Sequence, residues 1–485
     1  MNRRLFALAA TLLAAACSGG SSVMPSSPFA LPHAGSPGSS PIKHVILIVQ
    51  ENRSFDNFFN CFPGTDCVTT GKEKVKEGGK YVDKKIALQE QDLLPPKSER
   101  TDIGHCYYSF VTAYDGGKMD GFNLEPKGAC PRQFGQKVLG IGAFAYQYVN
   151  QKDIAPYWDM AEQYVLADRM FQTQGSGSFT AHQDLIRGGT ALAGAYGSSA
   201  SMIDTPDGEP WGCDAPKDVV TNLITTGLKW HKNTGPYPCT KDFASAGGAY
   251  TTLADLLDAA GVSWKYYTPC FVKTDDCKAS QKCTSCDGAI LNAFDVIDSV
   301  RYGSEWGTNV SMPQTNILSD IENGQLPAVS WVIPSDQDSD HPGSSADDGP
   351  AWVASVVNAI GGSQYWKSSA VVVLWDDWGG MYDHVSPSFL RDDQGGLGFR
   401  IPMIVISPYV PKGSVSHTQY EFGSLLKYVE ENWGLGSLKT TDARATSIVN
   451  VFDYKQKPRA FTAIPSDRSI QQFMSEPPSS AGDPE

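Results

Sequence analysis

Apolar residues along this chain follow two periods. Short, nearly continuous runs rich in β-branched residues occur at 44–50 (HVILIVQ), 163–171 (QYVLADRMF), 326–333 (LPAVSWVI), 370–375 (AVVVLW) and 401–407 (IPMIVIS). Runs of this length and type are expected of strands buried on both faces. Segments of helical period lie between them. Trp352, Val353, Val356, Val357 and Ile360 share one face of such a helix. Phe422, Leu425, Leu426, Val429 and Trp433 share one face of another, which Gly434 can cap. Strands separated by helices predict an α/β fold with a mostly parallel sheet flanked by helices. Residues 200–295 break the alternation; loop-rich and Cys-rich, they are expected to form an insertion or cap.

The first residues, MNRRLFALAATLLAAAC, stand outside this pattern. Arg3 and Arg4 precede a short apolar stretch and small residues before Cys17, the layout of an export signal rather than a membrane span. Leu13-Ala14-Ala15-Ala16-Cys17 resembles a bacterial lipobox. Residues 1–17 are therefore expected to be a lipoprotein signal peptide, with lipidated Cys17 anchoring the chain in the periplasm or at the cell surface. Cleavage nearby by ordinary signal peptidase, giving a plain secreted protein, is the alternative. Residues 18–41, rich in Ser, Pro, Gly and Ala, read as a flexible tether, 42–455 as the folded domain and 456–485 as a polar tail.

Without Cys17, ten of the eleven cysteines remain, an even number suited to disulfides in an oxidising compartment. Cys61 and Cys67 flank a short turn sequence; Cys106 with Cys130 and Cys213 with Cys239 are the next candidate pairs. Cys270, Cys277, Cys283 and Cys286 lie close enough to form disulfides or a zinc knuckle, and export favours disulfides. The net charge of −14 argues against a nucleic-acid partner and against charge-driven adhesion to anionic lipid. An anionic substrate would need local positive charge, such as a metal ion.

Parallel α/β sheets carry their chemistry beyond the carboxyl ends of the strands. The first run ends in Glu51-Asn52, the fourth in Asp376-Asp377, then Gly379-Gly380 and His384. The third leads into PSDQDSDHPG with His341, and the second into QTQGSGSFTAHQDL, with hydroxyls at Ser176, Ser178 and Thr180. Taken singly, each carboxylate is a turn former or helix cap and each His a loop residue. Together, three carboxylates and an amide oxygen are hard ligands for a divalent cation. A hydroxyl beside that cation would ionise more readily, and imidazoles could neutralise a phosphoryl group or protonate its leaving group. The set suits metal-assisted phosphoryl transfer through a covalent serine intermediate.

IVQENRSFDNFF, GGKMDGF, SDHPG, WDDWGGMYDHVSP, IPMIVISPYV and SHTQYEFGSLLKYVEENWGL occur in that order. They resemble the bacterial and plant phosphoesterase family that includes non-specific phospholipases C and acid phosphatases. The resemblance covers roughly 42–455 and implies an alkaline-phosphatase-like core. It implies one divalent metal, of the Ca, Mg, Mn or Zn type, held by Glu51, Asn52, Asp376 and Asp377 with the nucleophile. It places Ser178 at the nucleophile, with Thr180 where a Pro is usual, and His105, His341 and His384 at the phosphate pocket. Two positions depart from the family: Ser344 and Trp378 stand where many members carry His. The expected substrate is a phosphomonoester or a phospholipid head group. A catalytically silent surface-binding lipoprotein that keeps the fold is the alternative from another class.

Overall fold

The computed structural model describes residues 40–476, apart from 129, 131–138, 193–200, 209, 226–228, 245–249, 270–290 and 389–394. The signal peptide, nearly all of the tether, Cys270, Cys277, Cys283, Cys286 and the end of the tail lie outside the described residues. No helix among the described residues is long and apolar enough to cross a membrane.

One large sheet has eight strands. They are β1 His44–Gln50, β2 Val165–Ala167, β3 Trp264–Tyr267, β4 Val310–Ser311, β5 Val329–Val332, β6 Ser369–Trp375, β7 Met403–Ile406 and β8 Ser414–Ser416, in the spatial order β4-β3-β5-β1-β6-β7-β2-β8. β1 lies at the centre, parallel to β5 (Val45 opposite Val329) and to β6 (Val45 opposite Ala370). All pairs are parallel except those of β7, which runs against both β6 and β2. Every residue of β6 and all but His44 of β1 are buried, so both strands tolerate an unbroken apolar run. Each Val, Ile or Leu so buried contributes about 1.5–3 kcal/mol of transfer free energy.

Four helices matter for the site: α1 Phe55–Phe59, α2 Ser178–Arg187, α3 Gly349–Gly361 and α4 Phe422–Trp433. α3 connects β5 to β6 across β1, and Gly434 ends α4 in the left-handed conformation, as its position suggested. The five expected strands all occur. The run at 163–171 shortens to β2, with Met170 and Phe171 making only isolated bridges.

From residue 191 to 295 the picture changes. Ala191–Leu192, Ser201–Pro206, Thr221–Thr225 and Trp230–His231 form a separate four-stranded antiparallel sheet. The chain then rejoins the main sheet at β3, so the stretch is not wholly an insertion. β3 escapes periodicity because WKYY is short and interrupted by Lys265; β4 and β8, at the two sheet edges, are shorter still. Short edge strands limit pairing with other chains. A second apolar cluster, including Tyr107, Phe110, Met202, Ile224, Trp378 and Phe399, joins the small sheet to the loops above the main one. Disulfides link Cys61 to Cys67, Cys106 to Cys130 and Cys213 to Cys239.

Candidate active site

The chain leaves β1 through a tight set of backbone contacts. The Gln50 carbonyl accepts from Asp376 N at 2.9 Å, which aligns the exits of β1 and β6. Asn52 then adopts φ 63°, and its N–H donates to Asp376 Oδ1 at 2.9 Å. Asp376 Oδ1 also accepts from Asp377 N at 2.7 Å, and Asp377 Oδ1 accepts from Gly379 N at 2.7 Å. Both carboxylates are thus fixed by backbone donors, as a preorganised site requires.

α2 brings the hydroxyl. Ser178 is its first residue, after the N-cap Gly177, and α2 is buried along its whole length. Ser178 Oγ lies 3.3 Å from Asp377 Oδ2 and 3.5 Å from Asn52 Oδ1. The other two hydroxyls of the loop point elsewhere: Ser176 Oγ donates to Asp204 Oδ1, and Thr180 Oγ1 donates to the same oxygen at 3.5 Å. First-turn N–H groups of a helix lack intrahelical acceptors and carry positive partial charge, so this N-terminus suits an anion beside Ser178.

Two imidazoles close the other side. His105 Nδ1 lies 2.6 Å from the Ile103 carbonyl and His341 Nδ1 lies 2.7 Å from the Pro342 carbonyl. Each Nδ1 therefore carries a proton, and each Nε2 faces the site. Asn52 Nδ2 is 2.8 Å from His105 Nε2 and 2.9 Å from His341 Nε2, leaving its amide oxygen 3.2 Å from Glu51 Oε2 and 3.0 Å from Asp376 Oδ1. With neutral imidazoles this is oxygen against oxygen, an arrangement that a cation stabilises. With the amide turned over, its nitrogen donates to both carboxylates, and both imidazoles must then carry a second proton.

His182, one turn after Ser178 on α2, joins the cluster. Its Nδ1 lies 3.3 Å from the Tyr266 hydroxyl, which itself donates to the Leu291 carbonyl at 2.7 Å. Nε2 is thereby the atom turned inward, 3.4 Å from Glu51 Oε1 and 3.9 Å from Asp376 Oδ2. The three ligand atoms lie within 4.8 Å of one another. Sequence reading passed over His182, although the i, i+4 spacing from Ser178 puts both on one helix face. Glu51, Asn52, His105, Ser178, His182, His341, Asp376 and Asp377 are all at most 4% exposed, so charges here act in a poorly screened medium.

His384 sits in a different group. Its Nδ1 and backbone N–H are each 2.7 Å from Asp56 Oδ2, and its Nε2 is 3.9 Å from Asp66. Its bonds run to an ionic cluster of Asp56, Asp66 and Arg400 and not to Ser178, Glu51, Asn52, Asp376 or Asp377. Burial lowers the pKa of this imidazole, but the Asp56 hydrogen bond and the charges of Asp56 and Asp383 outweigh burial and raise it above the usual value. Arg400 completes the group, donating to Asp56 at 2.8 Å, Asp383 at 2.9 Å and the Asp168 carbonyl at 3.0 Å. Because β7 is antiparallel, Arg400, three residues before its start, reaches the same edge as Glu51 and Asp376. There it ties α1 to the loop after β6.

These elements meet in one segment order, and residues 42–436 match the phosphoesterase family. The chain belongs to the phosphoesterase family. It is 24% identical over 433 residues to a non-hemolytic phospholipase C of Burkholderia pseudomallei, covering 80% of this chain and 55% of the relative. It is 23% identical over 456 residues to phospholipase C B of Mycobacterium tuberculosis, covering 86% of this chain and 78% of the relative. The chain thus spans about half the length of the Burkholderia relative. A solved protein of the alkaline phosphatase superfamily from Vibrio parahaemolyticus aligns over 83% of this chain and 69% of its own, with 10% identity and a TM-score of 0.33.

Both departures from the family pattern have structural partners. Trp378 is buried edge-on to His105, with ring centroids 6.3 Å apart, and its Nε1 donates to Glu125 at 3.2 Å. Ser344 Oγ donates to the Asp336 carbonyl at 3.0 Å. A cavity of about 390 Å³ opens beside His105 and Gly177, walled by the small sheet through Asp204, Asp207, Trp211 and Trp230. It borders Gly177, the residue before Ser178.

Proposed function

We propose that this phosphoesterase hydrolyses phosphoric esters with Ser178 as nucleophile and one divalent cation at the ends of β1 and β6. The observation that carries the reading is the placement of the Ser178 hydroxyl. It lies between the Asn52 amide oxygen and Asp377 at the start of a buried helix, while Ser176 and Thr180 are bound to Asp204. Glu51, Asn52, Asp376, Asp377 and the Ser178 oxygen would hold the cation, and the His182 nitrogen is placed to join them. When bound, the cation supplies charge stabilisation to the phosphoryl group and favours ionisation of the hydroxyl.

Ser178 Oγ forms the new bond to phosphorus, and its proton passes toward Asp377, to which it already points. The bond to the leaving alcohol's oxygen breaks as that oxygen takes up the proton relayed from Asp377 through water, while His105 and His341, whose Nε2 atoms face Asn52 Nδ2, hold the Asn52 oxygen toward the carboxylates. The first turn of α2 receives the phosphoryl oxygens. Water then attacks the phosphoserine, releasing phosphate or a phosphomonoester and restoring Ser178. The leaving alcohol occupies the cavity beside Gly177, whose volume lies near the lower end of the range usual for ligand pockets, about 300–1,000 Å³. That size suits a compact alcohol; a diacylglycerol would extend out of it.

The three disulfides support an oxidising compartment, in keeping with export and a lipid on Cys17. The test is turnover of a chromogenic phosphomonoester and of a choline phosphodiester, with and without chelator. The reading expects hydrolysis that a chelator abolishes and a divalent metal restores. No turnover of either ester with Ca, Mg, Mn or Zn would overturn it and favour a binding protein.

A further inference from the structure

A hairpin outside the main sheet forms an exposed arm. Thr70–Glu77 and Lys80–Ala87 pair antiparallel, with Val75 opposite Val82, and turn through Gly78-Gly79. Both glycines have positive φ, 57° and 84°, as the two-residue turn of a twisted hairpin requires. A Cβ at either would meet nothing within 4 Å, so the tip stands clear of the body. At the root Gly71 fits against Tyr146 and Tyr382. Tyr382 belongs to the loop after β6, which begins with Asp376 and Asp377.

Opposite residues of an antiparallel pair share a face. One face of the arm carries Val75, Val82 and Ile86, all half-buried, and its charges balance: Glu73 and Glu77 against Lys80 and Lys84, with Glu77 pairing Lys84. The other face sets Lys72 opposite Lys85 and Lys76 opposite Tyr81, all four exposed, with Asp83 as its one carboxylate. Lys74, between them, turns back to the body and pairs with Asp115 and, at 3.4 Å, with Asp120. Lys72, Lys76 and Lys85 make no ion pair among the described residues. Like charges directly opposite one another destabilise a sheet, so facing Lys72 with Lys85 gains the fold nothing.

We propose that this lysine face docks the arm on an anionic phospholipid surface. Lysine stems and a tyrosine ring settle where head groups meet acyl chains, apolar part inward and polar end outward. Tyr81, 58% exposed beside Lys76, therefore favours a lipid surface over an acidic protein, for which the lysines alone would serve. The net charge of −14 does not oppose a contact this local. Eight extended residues reach roughly 26 Å, against a Debye length of about 8 Å at physiological ionic strength. Most of the body's charge is thus screened from the outer part of the arm. Delivery of lipid phosphoesters to Ser178 through this contact rests on the esterase reading; the contact itself does not.

The experiment measures co-sedimentation with vesicles of phosphatidylcholine alone or in equimolar mixture with phosphatidylglycerol. The full chain carries Cys17→Ser throughout, so that no acyl chain contributes, and chelator is present to stop turnover. This parent is compared with combined Lys72→Gln, Lys76→Gln and Lys85→Gln, and with combined Lys80→Gln and Lys84→Gln on the balanced face. The parent is expected to prefer the mixed vesicles and to release from them in high salt. Each lysine at an anionic surface contributes about fivefold, so the triple variant should bind about a hundredfold more weakly. The variant of the balanced face should lose less than about fivefold. Equal binding of the parent to both vesicles, or a triple variant bound as tightly as its parent, would overturn the proposal. Tighter binding of the parent to polyglutamate than to the mixed vesicles would also overturn it, assigning the face to an acidic protein. None of these readouts depends on turnover, so failure of the esterase reading would leave them standing.

Discussion

Replacing Gly379 by Ala tests how closely the β1 and β6 exits are fitted. Gly379 has φ +59°, and a methyl group there would lie 2.0 Å from the Asn52 carbonyl oxygen, 2.7 Å from its carbon and 2.9 Å from its Cβ. Contacts of that kind must open to at least 3.0 Å, so backbone has to move by about 1 Å. The obstacle is main chain, which a side-chain rotation cannot relieve. The left-handed φ costs about 1–2 kcal/mol for a residue with a Cβ, and forcing extra volume into packed surroundings adds about 1–3 kcal/mol. The expected loss of stability is therefore about 2–5 kcal/mol. A displacement of about 1 Å at Asn52 should lower kcat by about 100-fold. The control is Gly434→Ala at the end of α4, where φ is +65° but nothing lies within 4 Å. It should lose only the conformational part, with kcat unchanged. Urea unfolding and turnover of a chromogenic phosphoester on both variants make the comparison. Equal stability and equal kcat in the two would refute the claim that Gly379 is where it is because Asn52 occupies the space.

Asp376→Asn or Asp377→Asn should abolish turnover with little loss of Tm, because removing one charge relieves a crowded carboxylate site; near wild-type kcat in either would mean that the second ligand pair is misassigned. His384→Asn keeps a donor near Asp56 but removes the titratable charge. The raised pKa of His384 makes its contribution fully present below the unfolded value of about 6.5 and lost as pH rises through the folded value. The stability gap to wild type in urea should thus be larger at pH 5.5 than at pH 8.5, and a gap independent of pH would contradict this. Cys17→Ser should move the protein out of the detergent-released membrane fraction, which salt alone does not release; identical fractionation of the two would leave a plain secreted protein.

The parts of the site legible in the sequence are those at the ends of long apolar runs. HVILIVQ and AVVVLW each stop abruptly at carboxylates, and parallel neighbours bring such ends together. Glu51, Asn52, Asp376 and Asp377 could therefore be read as one set before any geometry. Strand direction is not encoded in a run of Ile, Val and Met, so nothing in IPMIVIS announced that β7 is antiparallel or that Arg400 would reach the active edge. β3 is four residues long and carries a lysine, too little for a period, yet its Tyr266 orients His182. His182 itself lay within a segment read for its hydroxyls. His384 follows the Asp376-Asp377 pair closely in sequence, but proximity along the chain does not set where a side chain points. Its ring is held by Asp56, more than three hundred residues away, and that pairing has no local signature.

The central claim is a covalent phosphoryl intermediate on Ser178, and acid quench during turnover of a phosphorus-labelled ester tests it most directly. Peptide mapping should find the label on Ser178. Ser178→Ala should lose both the label and activity, the latter by about three orders of magnitude or more, while Thr180→Ala keeps the label in place. Label on Thr180 or Ser176, or a Ser178→Ala variant that turns over at the wild-type rate, would contradict the account.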